Sequence, residues 1–307
     1  MERTREAYIW RCSMPTARSI LKRLYEAVPF KQPVFQMVRR VVSLPEPVYR
    51  HLHFKGIIDV PISPTAGFRI RHHGYMIENE LFWNGFNGWE KISMELWTRL
   101  SRNAQVIVDI GANTGVYALA AAAMQPNALV IAVEPVRRIY DKLADNASLN
   151  GGRIKTVHAA ASSHSGVAVL YDLPEREHVL SVSLDPEWNK ESADLKPVEV
   201  PAITVADLLV QHGATKVDLL KIDVETYEAE VLRGFLEILH RDRPSMLIEI
   251  LNEKVAAEVG SILNGLDYDY YNIDDITWPP KKTHALSRSG HFNFLVCRPE
   301  VAKSIGL

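Results

Sequence analysis

Three apolar runs end on carboxylates, the placement from which an acid faces a ligand. In Ile107-Val-Asp-Ile-Gly-Ala-Asn-Thr-Gly115, an apolar run from Val106 to Ile110 carries Asp109 into a turn holding Gly111, Asn113 and Gly115. An alanine-rich stretch, Val116 to Met124, follows at once. A second apolar run, Ala128 to Val133, ends on Glu134. A third, in Leu219-Leu-Lys-Ile-Asp-Val-Glu-Thr-Tyr-Glu228, ends on Asp223 and Glu225. If these runs are strands of one parallel sheet, ligands bind beyond their carboxyl ends and the acids share one rim. The glycines admit close backbone approach, helix N–H groups face the anionic part of a ligand, and an acid after the second strand accepts from ribose hydroxyls. The same residues also suit a plain strand–turn–helix with glycines chosen for turn geometry, and Glu225 and Glu228 also suit the capping of a helix N-terminus.

The dinucleotide fingerprint G-x-G-x-x-G is not met. The pattern here is Asp109-x-Gly111-x-Asn113-x-Gly115, with Asn in the middle and a different spacing. An acid at the end of the first strand repels a pyrophosphate. It suits a ligand carrying an ammonium group, such as the methionyl end of S-adenosylmethionine.

The elements that must position these residues alternate along the chain. Apolar runs predict strands at 105–110, 128–134, 154–158, 217–222 and 245–251, with helices at 115–124, 136–149, 204–211, 227–240 and 253–264. Such alternation implies an α/β fold with a parallel sheet and right-handed crossovers. Tyr268 to Ile273 and His291 to Cys297 read as strands joined by a Pro-rich basic loop, which predicts a closing hairpin and an antiparallel last strand. Val167 to Tyr171 and Val198 to Ile203 read as strands around a polar loop, an insertion at about 160–204 suited to acceptor recognition. Upstream, 56–103 reads as a hairpin (Ile57 to Pro61, Phe68 to Arg71) and a helix from Gly88 to Leu100. Residues 1–55 read as a basic helical extension with helices around Ala17 to Val28 and Val34 to Val42. The expected division is therefore 1–55, 56–103 and a core of 104–307.

Composition is that of an ordinary globular enzyme, with 47% hydrophobic and 23% charged residues in 307. A net charge of −2 gives no general affinity for nucleic acid. The charge is uneven: residues 1–55 hold eleven Lys/Arg against four Asp/Glu, and the remainder holds 24 against 33. A basic amphipathic segment of this kind offers peripheral contact with an anionic membrane. Cys12 and Cys297 are too few for a disulfide framework or a cysteine metal site, so the expected compartment is reducing and cytoplasmic. No apolar run reaches transmembrane length, and the N-terminus lacks the apolar core of a secretory signal. Oligomeric state is not encoded in any pattern here.

Taken together, Asp109-Ile-Gly-Ala-Asn-Thr-Gly115, Glu134-Pro135, Lys221-Ile-Asp-Val-Glu225 with Glu228, Val231-Leu-Arg-Gly234 and Asn293-Phe-Leu295 resemble the FkbM family of S-adenosylmethionine-dependent methyltransferases over roughly 104–297. The stretch Ile77-Glu-Asn-Glu-Leu-Phe-Trp83 with Gly85 is similar to the segment preceding the core in many bacterial members. The resemblance implies a Rossmann-like class I methyltransferase fold: a seven-stranded, mostly parallel sheet with one antiparallel strand, here with an N-terminal helical and hairpin extension. It implies S-adenosyl-L-methionine as cofactor and methyl transfer to a hydroxyl of a sugar, glycan or secondary metabolite. N-methylation, and a non-catalytic module that keeps the fold, stand as alternatives. Two departures from the pattern are Thr226, where the family usually has Gly, and Ala206, where members often carry an acid. Thr226 resists φ > 0 but suits a helix N-cap.

The resemblance assigns roles residue by residue. Asp109 holds the cofactor ammonium, Gly111, Asn113 and Gly115 shape the turn, Glu134 takes the ribose, and Ala160 in Ala159 to Ser162 lies by the adenine. Asp223 faces the methyl group or the acceptor. A hydroxyl needs a base, with Asp223 first and Glu225 and Glu249 behind it. No metal is assigned, although oxygen donors on one rim leave acidification of the hydroxyl by a divalent ion open. His164, His178 and His291 read as surface or structural residues. Tyr171, Trp188, Tyr268, Tyr270, Tyr271 and Trp278 supply aromatic faces for a sugar ring or for core and edge packing.

Overall fold

Apolar runs bounded by turn residues become strands buried on both faces, and these strands set the architecture. The computed structural model describes residue 25, residues 28–172, residue 184 and residues 196–307. The strands are β1 Gly56–Pro61, β2 Gly67–His72, β3 Val106–Ile110, β4 Leu129–Val133, β5 Ile154–Val157, β6 Ala160–Ala161, β7 Gly166–Asp172, β8 Lys196–Ile203, β9 Leu219–Ile222, β10 Ser245–Glu249, β11 Asp269–Asn272, β12 Lys281–Thr283 and β13 Asn293–Cys297. The central sheet has the order β12-β11-β13-β10-β9-β3-β4-β5. Strands β10, β9, β3, β4 and β5 are parallel. β13 runs antiparallel to both β10 and β11, and β12 antiparallel to β11. This is the expected Rossmann-like, mostly parallel α/β sheet, with one correction to its seven strands. The Pro-rich loop contributes β12, an eighth strand at the edge, so two strands oppose the rest.

Period-two alternation divides the strands between two layers. Val106, Val108 and Ile110 face the helices Val205–Gln211, Glu228–Arg233, Leu236–Asp242 and Glu253–Leu263. Ile107 faces the helices Lys91–Ser101 and Val116–Met124. The hairpin β1–β2 and the helix Met76–Asn84 share that second core through Ile58, Phe68, Ile70, Leu81 and Phe82. The hairpin is also tied to the helix Arg137–Leu149 and its C-cap. Asn146 Oδ1 accepts from the Arg71 N–H at 2.8 Å, and Asn150 Oδ1 accepts from the Arg69 N–H at 2.8 Å. Residues 56–103 are thus continuous with the core.

The helix expected over 227–240 divides at Gly234 and Phe235. A Cβ on Gly234 would lie 2.3 Å from the Ser162 carbonyl, so the chain packs there on bare backbone. The insertion strands β7 and β8 form a small separate sheet with β6. Of the helix expected around Ala17 to Val28 only Tyr25 and Val28 are described; the rest of it, with His178 and Trp188, lies outside the described residues.

Candidate active site

The carboxyl ends of β3, β4, β9 and β10 open into a cleft of about 690 Å³. Asp109, Gly111, Asn113, Glu134, Ala160, Asp223, Glu225 and Glu249 all line it, whereas Gly115 does not. Gly115 stands just behind, at φ 97, as the N-cap of Val116–Met124.

Gly111 joins two of the motifs. Its φ is 74, and a Cβ there would fall 1.8 Å from the Asp223 carbonyl oxygen. Only glycine satisfies both the left-handed backbone and that approach. Asn113, at φ 52, tolerates the same region, and its Oδ1 accepts from the Thr114 N–H at 2.8 Å.

Glu134 stitches the rim together. Its two carboxylate oxygens accept from the N–H groups of Asn113 at 3.1 Å and Val136 at 2.9 Å. Each oxygen retains lone-pair capacity toward the cleft. Burial pushes Glu134 up to about 7. Asp109 is 1% exposed, and one of its oxygens accepts from the Ala118 N–H at 2.9 Å. Burial likewise pushes it up to about 7.

Lys221 stands beside Asp109 because the parallel register of β3 and β9 pairs the two residues. It is 2% exposed, yet its Nζ donates to Asp223 Oδ2 at 2.9 Å and lies 5.2 Å from the centre of the Tyr117 ring. Desolvation pulls its pKa down, but Asp223, Glu90 and Glu249 outweigh this and hold the ammonium above its ordinary value. Tyr117 donates to Glu90 Oε2. Glu90 adopts φ 40 just before the helix Lys91–Ser101, and burial raises it. Neither Lys221 nor Glu90 was identified as a site residue from the sequence. A lysine inside the buried run Leu219–Ile222, two residues before Asp223, was the available signal. Glu90 carries no such mark, and neither do Tyr75, Met76 and Trp89, which line the same cleft.

Asp223, Glu225 and Glu249 bring carboxylate oxygens within 4.8 Å of one another. Three acids so close share protons or a cation. Burial and the neighbouring Asp223 push Glu249 up to about 9, so it carries a proton at neutral pH. The lone pairs of the trio would also fit one divalent ion.

Several sequence expectations need correction. Thr226 is not the N-cap: that position is Tyr227, which makes no side-chain cap, and Thr226 lies at φ 81 after Glu225 at φ 53. Glu228 is the residue that serves the turn, its Oε1 accepting from the Val224 and Thr226 N–H groups at 3.3 and 3.2 Å. The aromatics Tyr268, Tyr270, Tyr271 and Trp278 do not reach the cleft. Tyr268 donates to the Pro244 carbonyl, and Trp278 lies under the Arg99 guanidinium at 4.2 Å. The aromatic walls come instead from Tyr75, Trp89 and Tyr117. His164 and His291 are exposed and do not line the cleft. No helix among the described residues is long and apolar enough to cross a membrane.

The family model described as "Methyltransferase FkbM domain" matches residues 109–270, just over half of the chain. Methyltransferase sdnD of Sordaria araneosa is 31% identical over 153 residues, covering 42% of this chain and 59% of the relative. The 31-O-demethyl-FK506 methyltransferase FkbM of Streptomyces tacrolimicus is 26% identical over 156 residues, covering 43% and 60%. The chain thus spans about three-fifths of the length of these curated relatives. Among solved structures, Methyltransferase FkbM from Methylobacillus flagellatus KT aligns at 14% identity over 63% of this chain and 43% of that one, with a TM-score of 0.39.

Proposed function

The chain belongs to the FkbM methyltransferase domain family, and from that premise we propose that it transfers a methyl group from S-adenosyl-L-methionine to a hydroxyl of a sugar, glycan or secondary metabolite. The observation that carries this reading is the convergence of Asp109, Glu134 and Asp223 on one cleft whose glycine turn is pressed against the Asp223 carbonyl. Burial raises the first two of these acids, and a cationic ligand restores their charge on arrival. The three carboxylates at these strand ends disfavour a dinucleotide pyrophosphate.

Glu134 would accept from the ribose hydroxyls through its remaining lone pairs, a charge-assisted contact. Asp109 would face the ammonium, and Ala159, Ala160 and Ala161 would pack against the adenine. Bound, the cofactor supplies an electrophilic methyl on a cationic sulfonium. The protein's share is to hold the acceptor in line, exclude water and take one proton. Asp223 is the base, because Lys221 donates to its Oδ2 at 2.9 Å and fixes the orientation of the carboxylate. Glu225 lies within reach of the same proton. Glu249, already protonated at neutral pH, acts as a hydrogen-bond donor to the acceptor oxygen rather than as a base.

Calorimetry with S-adenosylmethionine beside NAD(H) tests the donor, and binding of only the latter would overturn the reading. Glu134→Ala is expected to lose S-adenosylmethionine affinity at least tenfold, about 1.4 kcal/mol, and full affinity in that variant would remove the ribose assignment. Mass fragmentation of the methylated product separates oxygen from nitrogen as the acceptor atom.

A further inference from the structure

The helix Lys31–Val41 is amphipathic in reverse. Two of its polar side chains reach back to the protein: Gln32 donates to the Ile57 carbonyl at 2.7 Å, and Arg39 donates to the Phe82 carbonyl with its guanidinium 4.7 Å from that ring. Phe35 turns inward, against Phe54 and Trp83. The opposite side carries Phe30, Val34, Met37 and Val41, which are 77%, 54%, 70% and 79% exposed. Their spacing of four, three and four residues makes one continuous stripe. Val28, 50% exposed, extends it. Phe30 adopts φ 59 at the N-cap, so neither backbone preference nor burial accounts for a phenylalanine there.

We propose that this stripe seats the protein on an anionic bilayer surface. Charge selects the occupant. Exposed Arg40 flanks the stripe, and exposed Arg50 and Lys55 follow it. Residues 1–55 carry eleven cationic against four anionic side chains, while the remainder carries 24 against 33. A second copy placed stripe to stripe would bring these cationic regions together. Residues 1–24 of the same chain are equally mismatched, with six Lys/Arg against two Asp/Glu. An anionic membrane satisfies both properties at once, because its interface takes apolar side chains while its headgroups meet the flanking cations. The inference is independent of the methyl-transfer reading.

The test uses the full-length chain with vesicles of phosphatidylcholine alone and of phosphatidylcholine mixed with phosphatidylglycerol. Co-sedimentation with the mixed vesicles at low salt is expected, weakening as salt rises, with little on phosphatidylcholine alone. The double variant Val34→Asp/Met37→Asp should reduce it at least tenfold, and Arg40→Glu should reduce it more modestly. Both variants should keep the melting temperature and S-adenosylmethionine affinity of the parent, since the altered side chains are exposed. Absence of binding to mixed vesicles, or binding unchanged in the double variant, would overturn the proposal. So would a double variant that converts a solution dimer to a monomer, or one with a lowered melting temperature, because each would assign the stripe to protein.

Discussion

Thr226 occupies a backbone position that its side chain disfavours. At φ 81, directly after Glu225 at φ 53, it follows a path that a glycine takes without strain. Replacing Thr226 by Gly should therefore stabilise the protein by about 1 kcal/mol, the strain relieved less the added chain entropy of glycine. A urea midpoint shifted upward at unchanged slope is the expected result. The nearby acids make a second residue-scale prediction. If Asp223, Glu225 and Glu249 handle a proton, methyl transfer continues in excess EDTA; activity lost to EDTA and restored by magnesium would reassign the trio to a cation. The legibility of individual residues followed their positions. Asp109, Glu134 and Asp223 were readable because an acid closing a buried apolar run has little reason to be there except to face the rim. Glu90 was not, because tertiary packing brings it in from a segment whose sequence carries no sign of the cleft. The aromatics of 268–278 stayed open between a sugar-binding role and packing, because sequence shows that rings are present but not which side of the sheet they face; the structure gives them packing.

At the level of elements, periodicity located every strand of the central sheet except β12 to within two residues, since strands covered on both faces are rich in apolar residues. Periodicity missed what depends on contact. The division of the 227–240 helix follows from Gly234 meeting the Ser162 carbonyl, a distant partner. Gly234→Ala should cost about 2–4 kcal/mol, because backbone on both sides must move to admit the methyl group. A loss below about 0.5 kcal/mol in chemical denaturation would show that the helix pair slides freely over β6. The edge strand β12 was hidden for a related reason: Lys281-Lys-Thr283 has no apolar alternation, and its strand character comes from pairing with β11.

The whole molecule concentrates buried acids around one opening, and its pH response should show it. Burial pushes Asp109, Glu134 and Glu78 up to about 7, Glu228 to about 8 and Glu249 to about 9. Between its unfolded and folded values each of these binds a proton in the native state that the unfolded chain has released, so stability falls as pH rises. His72 and His73, lowered by burial to about 4, act in the opposite sense between pH 4 and 6.5 and then stop. The unliganded protein should therefore lose thermal stability steadily from pH 6.5 to 9, while stabilisation by S-adenosylmethionine grows between about pH 6.5 and 7.5, below the range in which the ligand's own α-ammonium titrates. Melting curves at fixed ionic strength check both, and a ligand effect that shrinks with pH over that interval would contradict the cationic-ligand assignment. The wall of the cleft formed by Tyr75, Met76, Trp89 and Glu90 has a further consequence for recombination between relatives. It is encoded upstream of the matched segment 109–270. A chimera exchanging only that segment would carry over one protein's cleft floor and its acids and leave the other's wall of Tyr75, Met76, Trp89 and Glu90 in place, so the two halves of the cleft become separately transferable at a crossover between 90 and 109.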